Sequence, residues 1–377
     1  MRVFTRQQPF IFRHHKPMMF TRTPVLSLFL LIFTALFISG CGIISPKTKE
    51  KSVTLLKAEE ASQEQLLTEI NRFAAVGSMR AKMDLKFEDN SFAEIGIAEK
   101  YKTADGEVVV QRPANILLKV QIPIIKTDVA QMTSDGNKFR VAILEDGAGG
   151  KYKKFVTGTN EADYSILQEQ VKNLDLNSKD IKQNVNAFSN LRPQHFTDAI
   201  LVRPIDTTNN AYVQSSILQE EEDIARNKKS PLRKVLRGYY LLDELHKTAD
   251  GGMKIARRFW FDRVGGIRLA RQQIFDAKGE IDSDIVYGRT GSLSESGAFA
   301  NLPLRIEVTR PKEKYKMSLT YQSPESVSIG KTYPTKAFVL ENTWGLEEVD
   351  LDKKLLEAKN RNGENVMQEP EAKAHAQ

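Results

Sequence analysis

Between Met79 and Glu88 the chain alternates residue by residue. Met79, Ala81, Met83, Leu85 and Phe87 face one way, and Arg80, Lys82, Asp84, Lys86 and Glu88 face the other. A period of two with one apolar and one polar side is the signature of a half-buried strand. Shorter runs of the same kind predict strands at 95–102, 107–111, 116–122, 129–133, 139–144 and 152–157. A second series covers 237–246, 253–261, 267–275, 281–287, 304–309, 315–321 and 337–340. Asp105-Gly106, Asp135-Gly136 and Asp250-Gly251 sit where tight hairpins need positive φ. The period switches to helical at Ser62–Ala75: Ser62 and Gln65 form a capping-box pattern, and Leu66, Leu67, Ile70, Phe73 and Ala74 fall on one face. Residues 159–232 read as a helical insertion, with one helix at Ile166, Leu167, Val171 and Leu174 and another over Ile217–Lys229. The stretch 352–377 shows no apolar period and reads as a disordered tail.

One helix, a long meander, a helical interruption and a second meander predict a mainly β fold with helices (α+β). The expected form is an antiparallel, curved or partly closed barrel.

The N-terminus has a different pattern. Val25–Gly40 is apolar and ends in small residues, with Arg2, Arg6, Arg13, Lys16 and Arg22 before it and no acidic residue. This is signal-peptide anatomy, too short for the ~20 residues that span a bilayer. Ile38-Ser39-Gly40-Cys41 resembles the lipobox of bacterial lipoproteins, which implies acylation of Cys41, the single cysteine of the chain. The leader is then 1–40, with Met1, Met18 and Met19 as alternative starts, and 41–60 a lipidated tether. A lone exported thiol has no intramolecular partner, and acylation accounts for it.

Charge follows from the leader. The 377-residue chain carries +7, and loss of the five leader cations leaves +2, so no electrostatic case for nucleic acid survives. His195, His246 and His375 form no His-Glu-x-x-His pair, and there is no cysteine ligand set or phosphate loop. The residues point to no enzyme, cofactor or metal. Arg226, Lys228, Lys229, Arg233, Lys234 and Arg237 make a local basic patch, and the four Arg-Pro pairs beginning at Arg112, Arg192, Arg203 and Arg310 read as strand ends.

Several strands carry a more specific likeness. Gly106–Pro113 followed by Ile116–Val120, then Thr133-Ser134-Asp135-Gly136-Asn137-Lys138-Phe139, resembles consecutive strands of the LolA/LolB lipoprotein-carrier superfamily. Leu302–Val308 and Phe338-Val339-Leu340 resemble its terminal strands. The resemblance assigns 61–351 to one domain, implies an antiparallel open or incomplete β-barrel with helices covering its concave face, and implies an apolar cavity that holds acyl chains. By alternation its candidate lining is Met83, Leu85, Phe87, Ile95, Ile97, Leu118, Val120, Phe139, Val141, Tyr239, Leu241, Phe259 and Phe261. The same residues packed as a closed core are the simpler reading. The anchor favours a LolB-like, non-catalytic acceptor of lipid or lipoprotein acyl chains at the periplasmic face of the outer membrane, fed by a periplasmic carrier. Gly42 stands where an inner-membrane retention signal would place aspartate. An envelope protein-binding or sensing platform is the alternative.

Overall fold

The computed structural model describes residues 53–89, 99–100, 103–123, 126–145, 150, 153–162, 164, 166–167, 193–294 and 299–372. Cys41, the leader, Ile95, Ile97, His375 and most of the helix expected near Val171 lie outside these.

In chain order the elements are β1 (Thr54–Leu55), α1 (Gln63–Ala74), β2 (Ser78–Asp89), β3 (Glu99–Lys100), β4 (Ala104–Gln111), β5 (Asn115–Gln121), β6 (Asp128–Asp135), β7 (Lys138–Ile143) and β8 (Lys154–Thr159). There follow α2 (Pro193–Ile200), β9 (Asn210–Glu222), β10 (Lys234–Lys247), β11 (Met253–Asp262), β12 (Arg268–Phe275), β13 (Ile281–Leu293), β14 (Phe299–Arg310) and β15 (Tyr315–Tyr321). The last are β16 (Ser328–Ile329), β17 (Glu347–Asp350) and α3 (Leu351–Ala372).

The strands form one large sheet. Its spine runs from β9 through β10–β15, crosses to β2 by the antiparallel pair Leu319↔Leu85, and continues through β4–β8 to β17. Among the described residues β9 and β17 each pair on one side only, so the sheet is open. The expectation of a purely antiparallel sheet is corrected. The meanders are antiparallel because short hairpins join their strands, but β1–β10 and β17–β8 are parallel. Both parallel pairs join segments far apart in sequence, where a long connection lets strands run the same way.

The expected alternation at Met79–Phe87 is β2. Ser62 accepts from the Gln65 amide at 3.3 Å while Gln65 Oε1 accepts from the Ser62 amide at 2.8 Å, closing the capping box of α1. Gly136 and Gly251 have φ of +89° and +83°, as hairpin glycines should. Gly106 departs from the expectation. It lies inside β4 opposite Met83, where an added Cβ would come within 2.6 Å of Leu85 Cδ1, so glycine is there for close approach and not for a turn.

Other expectations fail for local reasons. The segment expected as a helix over Ile217–Lys229 begins as the end of β9, which pairs with β10 from Asn210↔His246 to Glu222↔Lys234, and continues as turns. The expected tail is α3, whose Leu351, Leu355 and Ala358 recur at helical spacing and are buried. Asp352 fixes its start, accepting from the Thr159 hydroxyl at 2.8 Å and from Tyr164. The tether is also shorter than 41–60. Thr54 and Leu55 join β10, and the Glu59 amide donates to Arg263 O at 2.8 Å. The strand expected at 337–340 is not formed; its first two residues end a 3-10 turn over 335–338. Of the Arg-Pro pairs, those at Arg112 and Arg310 follow strand ends, while Pro193 opens α2, where its missing N–H costs nothing.

Candidate functional site

One face of the sheet carries the core, and the register shows how it is laid out. Ala81, Val108, Leu118, Met132, Val141 and Val156 stand in one cross-strand row from β2 to β8. Beside it run Tyr321, Met83, Gly106, Val120, Ala130 and Ile143. A third row, Leu242, Phe259, Gln272, Ile285, Val308, Met317 and Phe87, carries the face across the second meander.

α1 and α2 cover this face. Leu66, Ile70 and Phe73 enter it from α1, and Phe196, Ala199 and Ile200 from α2. Phe196 meets the edge of Phe87 at 6.3 Å between ring centres, and Phe73 tilts onto Tyr287 at 5.5 Å. α2 is only eight residues long, and polar contacts hold it at both ends. His195, buried, bonds through Nδ1 to the Tyr315 hydroxyl, and Tyr287 donates to Ala199 O at 3.3 Å. Just beyond its C-terminus, Arg112 donates to Val202 O at 2.7 Å and, with the same nitrogen, to Ala74 O at 2.9 Å at the end of α1. One guanidinium thereby caps the exits of both helices. Arg257 donates to Arg203 O at 2.8 Å and Pro204 O at 3.2 Å, closing the path out of α2.

Two titratable groups on this path are shifted. Burial raises the pKa of Asp198 on α2, and the Arg203 guanidinium, 3.8 Å away, opposes that shift. Burial lowers that of Arg112.

The candidate lining divides into three groups. Met83, Leu85, Leu118, Phe139, Val141, Phe259 and Phe261 are buried together in this core, with Phe87 and Val120 packed half-buried against it. Tyr239 and Leu241 are on the wrong face. Tyr240 pairs with Phe261 and Leu242 with Phe259, so the neighbouring Tyr239 and Leu241 point to the opposite side of β10, with Trp260. Consecutive Tyr-Tyr and Leu-Leu make both phases of β10 apolar, and only the register with β11 decides between them. Ile95 and Ile97 lie outside the described residues. Sequence reasoning missed Met132, Met317 and Phe196. The first two lie on expected strands, 129–133 and 315–321, from which no lining residue was chosen, whereas Phe196 carried no periodic signal.

The basic patch is largely neutralised: Arg226 pairs with Asp223, Arg233 with Glu222, Lys234 with Glu220 and Arg237 with Asp262. His246, exposed at the end of β10, bonds to Asn210. No helix among the described residues is long and apolar enough to cross a membrane.

No family model matches the chain. No curated protein matches it either. Solved structures with a similar outline include a LolA superfamily protein from Nitrosomonas europaea, at TM-score 0.37 and 10% identity, covering 74% of this chain and 99% of that one. A DUF1329 family protein from Desulfovibrio piger gives TM-score 0.38 and 10% identity over 73% of this chain and 95% of that one. A putative outer membrane lipoprotein-sorting protein domain from Vibrio parahaemolyticus gives 0.36 and 9% over 74% and 97%. At these identities the likeness is one of outline, and no residue, ligand or partner passes from those proteins to this chain.

Proposed function

We propose that this chain is a non-catalytic envelope lipoprotein, anchored through an acylated Cys41, that binds lipid or lipoprotein acyl chains against the apolar face beneath α2. The observation that carries this reading is the run of apolar residues from Ala81 to Val156, lying under cover that includes the eight-residue α2. In the structure the face is filled by side chains, so an acyl chain enters by taking the place of α2.

The exchange is feasible on magnitude. Withdrawing Phe196, Ala199 and Ile200 gives up at most ~1.5–3 kcal/mol for each large side chain, while an acyl chain regains roughly 0.8 kcal/mol per methylene. A dozen methylenes outweigh the apolar part of the loss. Met83 and Met132 suit such an exchange, because unbranched methionine repacks around irregular contents. Two or more fatty chains on Cys41 would give stable attachment where one would not. Gly42 after Cys41 fits placement at the outer membrane, and a LolB-like acceptor role is the finer form of the reading.

The test is mass spectrometry of gently purified Cys41→Ser protein. Co-purifying phospholipid or uptake of a fluorescent fatty acid is the expected outcome. A lipid-free protein that takes up no acyl probe would remove the reading. A second reading, a protein-binding platform, is favoured by β9, whose free edge exposes Val213 and Leu218.

A further inference from the structure

The opposite face of the second meander holds a feature that the acyl reading does not use. A half-open pocket of about 550 Å³ lies over β9–β13, within the size range of small-molecule sites. Trp260 and Tyr239 lie along it, in edge contact at 5.8 Å, with the exposed Val286 beyond.

Its charges are unevenly matched. Glu221 accepts from the Tyr239 hydroxyl at 2.5 Å and pairs with Arg237 at 3.2 Å. Asp262 is shared by two guanidiniums, Arg237 at 2.9 Å and Arg268 at 3.0 Å. Glu222 and Asp223 pair with Arg233 and Arg226. Arg271 is committed to Asp284 and stacks over Trp260 at 4.9 Å. The carboxylates of the pocket are therefore occupied, while two arginines keep unused donors. The Arg268 Nε–H is buried with no hydrogen-bond partner. The Arg289 side chain has no hydrogen bond or ion pair among the described residues.

Both arginines line this one pocket. Arg289 also holds φ at +48°, a left-handed conformation that a non-glycine residue adopts at a cost. Arg289, strained and without a side-chain partner, and Arg268, with an unmet donor, line one pocket, an arrangement that an oxyanion would relieve, since guanidinium binds phosphate through paired hydrogen bonds.

We infer that this outer pocket is an anion site, in which Arg268 and Arg289 hold a phosphate group while Trp260 and Val286 pack against the body that carries it. The phosphate belongs either to a lipid headgroup or to a free anion. The site stands apart from the acyl-binding face, and either can fail without the other.

Trp260 supplies the readout, because Trp344 is the only other tryptophan. Full-length Trp344→Phe protein in nonionic detergent is titrated with glycerol 3-phosphate, inorganic phosphate and glycerol while Trp260 emission is followed. A saturable change with glycerol 3-phosphate and none with glycerol is expected. Arg289→Gln, at an exposed position, should weaken it at least tenfold without changing the thermal unfolding midpoint, and Arg268→Gln should weaken it at least tenfold as well. An affinity at least tenfold above that for inorganic phosphate identifies a headgroup site, and equal affinity a free-anion site. No saturable change with either phosphate, or binding unaltered in Arg289→Gln, overturns the inference.

Discussion

The two meanders share one sheet and one core, yet their inner faces differ in kind. From β2 to β8 the buried rows are apolar, and buried polar residues such as Ser78, Thr133, Ser134 and Asn160 lie near the ends of strands. From β10 to β14 the same face carries charge. Glu244 pairs directly with Arg257 across β10 and β11 at 2.7 Å, both fully inside. Arg310 is buried on Asp282 at 2.5 Å, Glu313 at 2.7 Å and Ser283 at 2.6 Å, and its pKa is raised: burial works against the charge, but the carboxylates of Glu313 and Asp282 outweigh it. Gln272 sits mid-row with its Oε1 unpaired. A purely apolar face can exchange one greasy occupant for another at little loss of specificity. A face of buried ion pairs cannot, because each charge requires its own partner in place. The comparison assigns exchange to the first meander and a fixed frame to the second, with Arg112 and Arg257 tying the exit of α2 to both.

The largest effect expected from this contrast is at Arg257. Arg257→Leu leaves the buried Glu244 charge with only the Asn210 amide as donor and strips the carbonyls of Arg203 and Pro204, which should cost about 3–5 kcal/mol in urea unfolding. Adding Glu244→Leu should recover most of that loss. A single variant as stable as the parent would erase the distinction between the halves. Gly106→Ala comes next. Its methyl must push into Leu85, at about 1–3 kcal/mol. In the exchanging half, Met132→Leu keeps volume and should cost less than ~1.5 kcal/mol.

The smallest effect is at Asp198 and is set by pH. Its carboxyl pKa is raised in the folded state, so the folded protein binds that proton more tightly than the unfolded chain does. Stability from this group is full below the unfolded value of ~3.9 and falls as pH rises through the folded value. Asp198→Asn should therefore stabilise the protein at neutral pH and leave it unchanged near pH 3. Equal effects at both, in a pH series of thermal melts, would show that Asp198 carries its charge without penalty.

Much of this was legible in the chain because hydrophobic burial writes a period. β2 is half-buried along its length, and Ser62 with Gln65 names the start of α1. Where one sheet face is not simply wet, the pattern fades. β9 is an edge strand with little to bury, and its Glu220-Glu221-Glu222 run resembles a helix surface. The doubled Tyr239-Tyr240 and Leu241-Leu242 left the phase of β10 open, which placed two candidates on the outer face. α3 shows only Leu351, Leu355 and Ala358 among many charges, enough for docking and too few for a period. That Arg268 and Arg289 line one pocket depends on how β12 and β13 come together, which no local pattern records.

The most direct measurement is to map a photoactivatable fatty acid on the full-length protein by peptide mass spectrometry. Adducts on the inner face, at or beside Met83, Leu118, Met132 and Phe139, are expected, together with faster amide exchange in α2 when the acyl chain is bound. Adducts confined to the outer face around Trp260, or saturable labelling that leaves α2 exchange unchanged, would contradict acyl binding beneath α2.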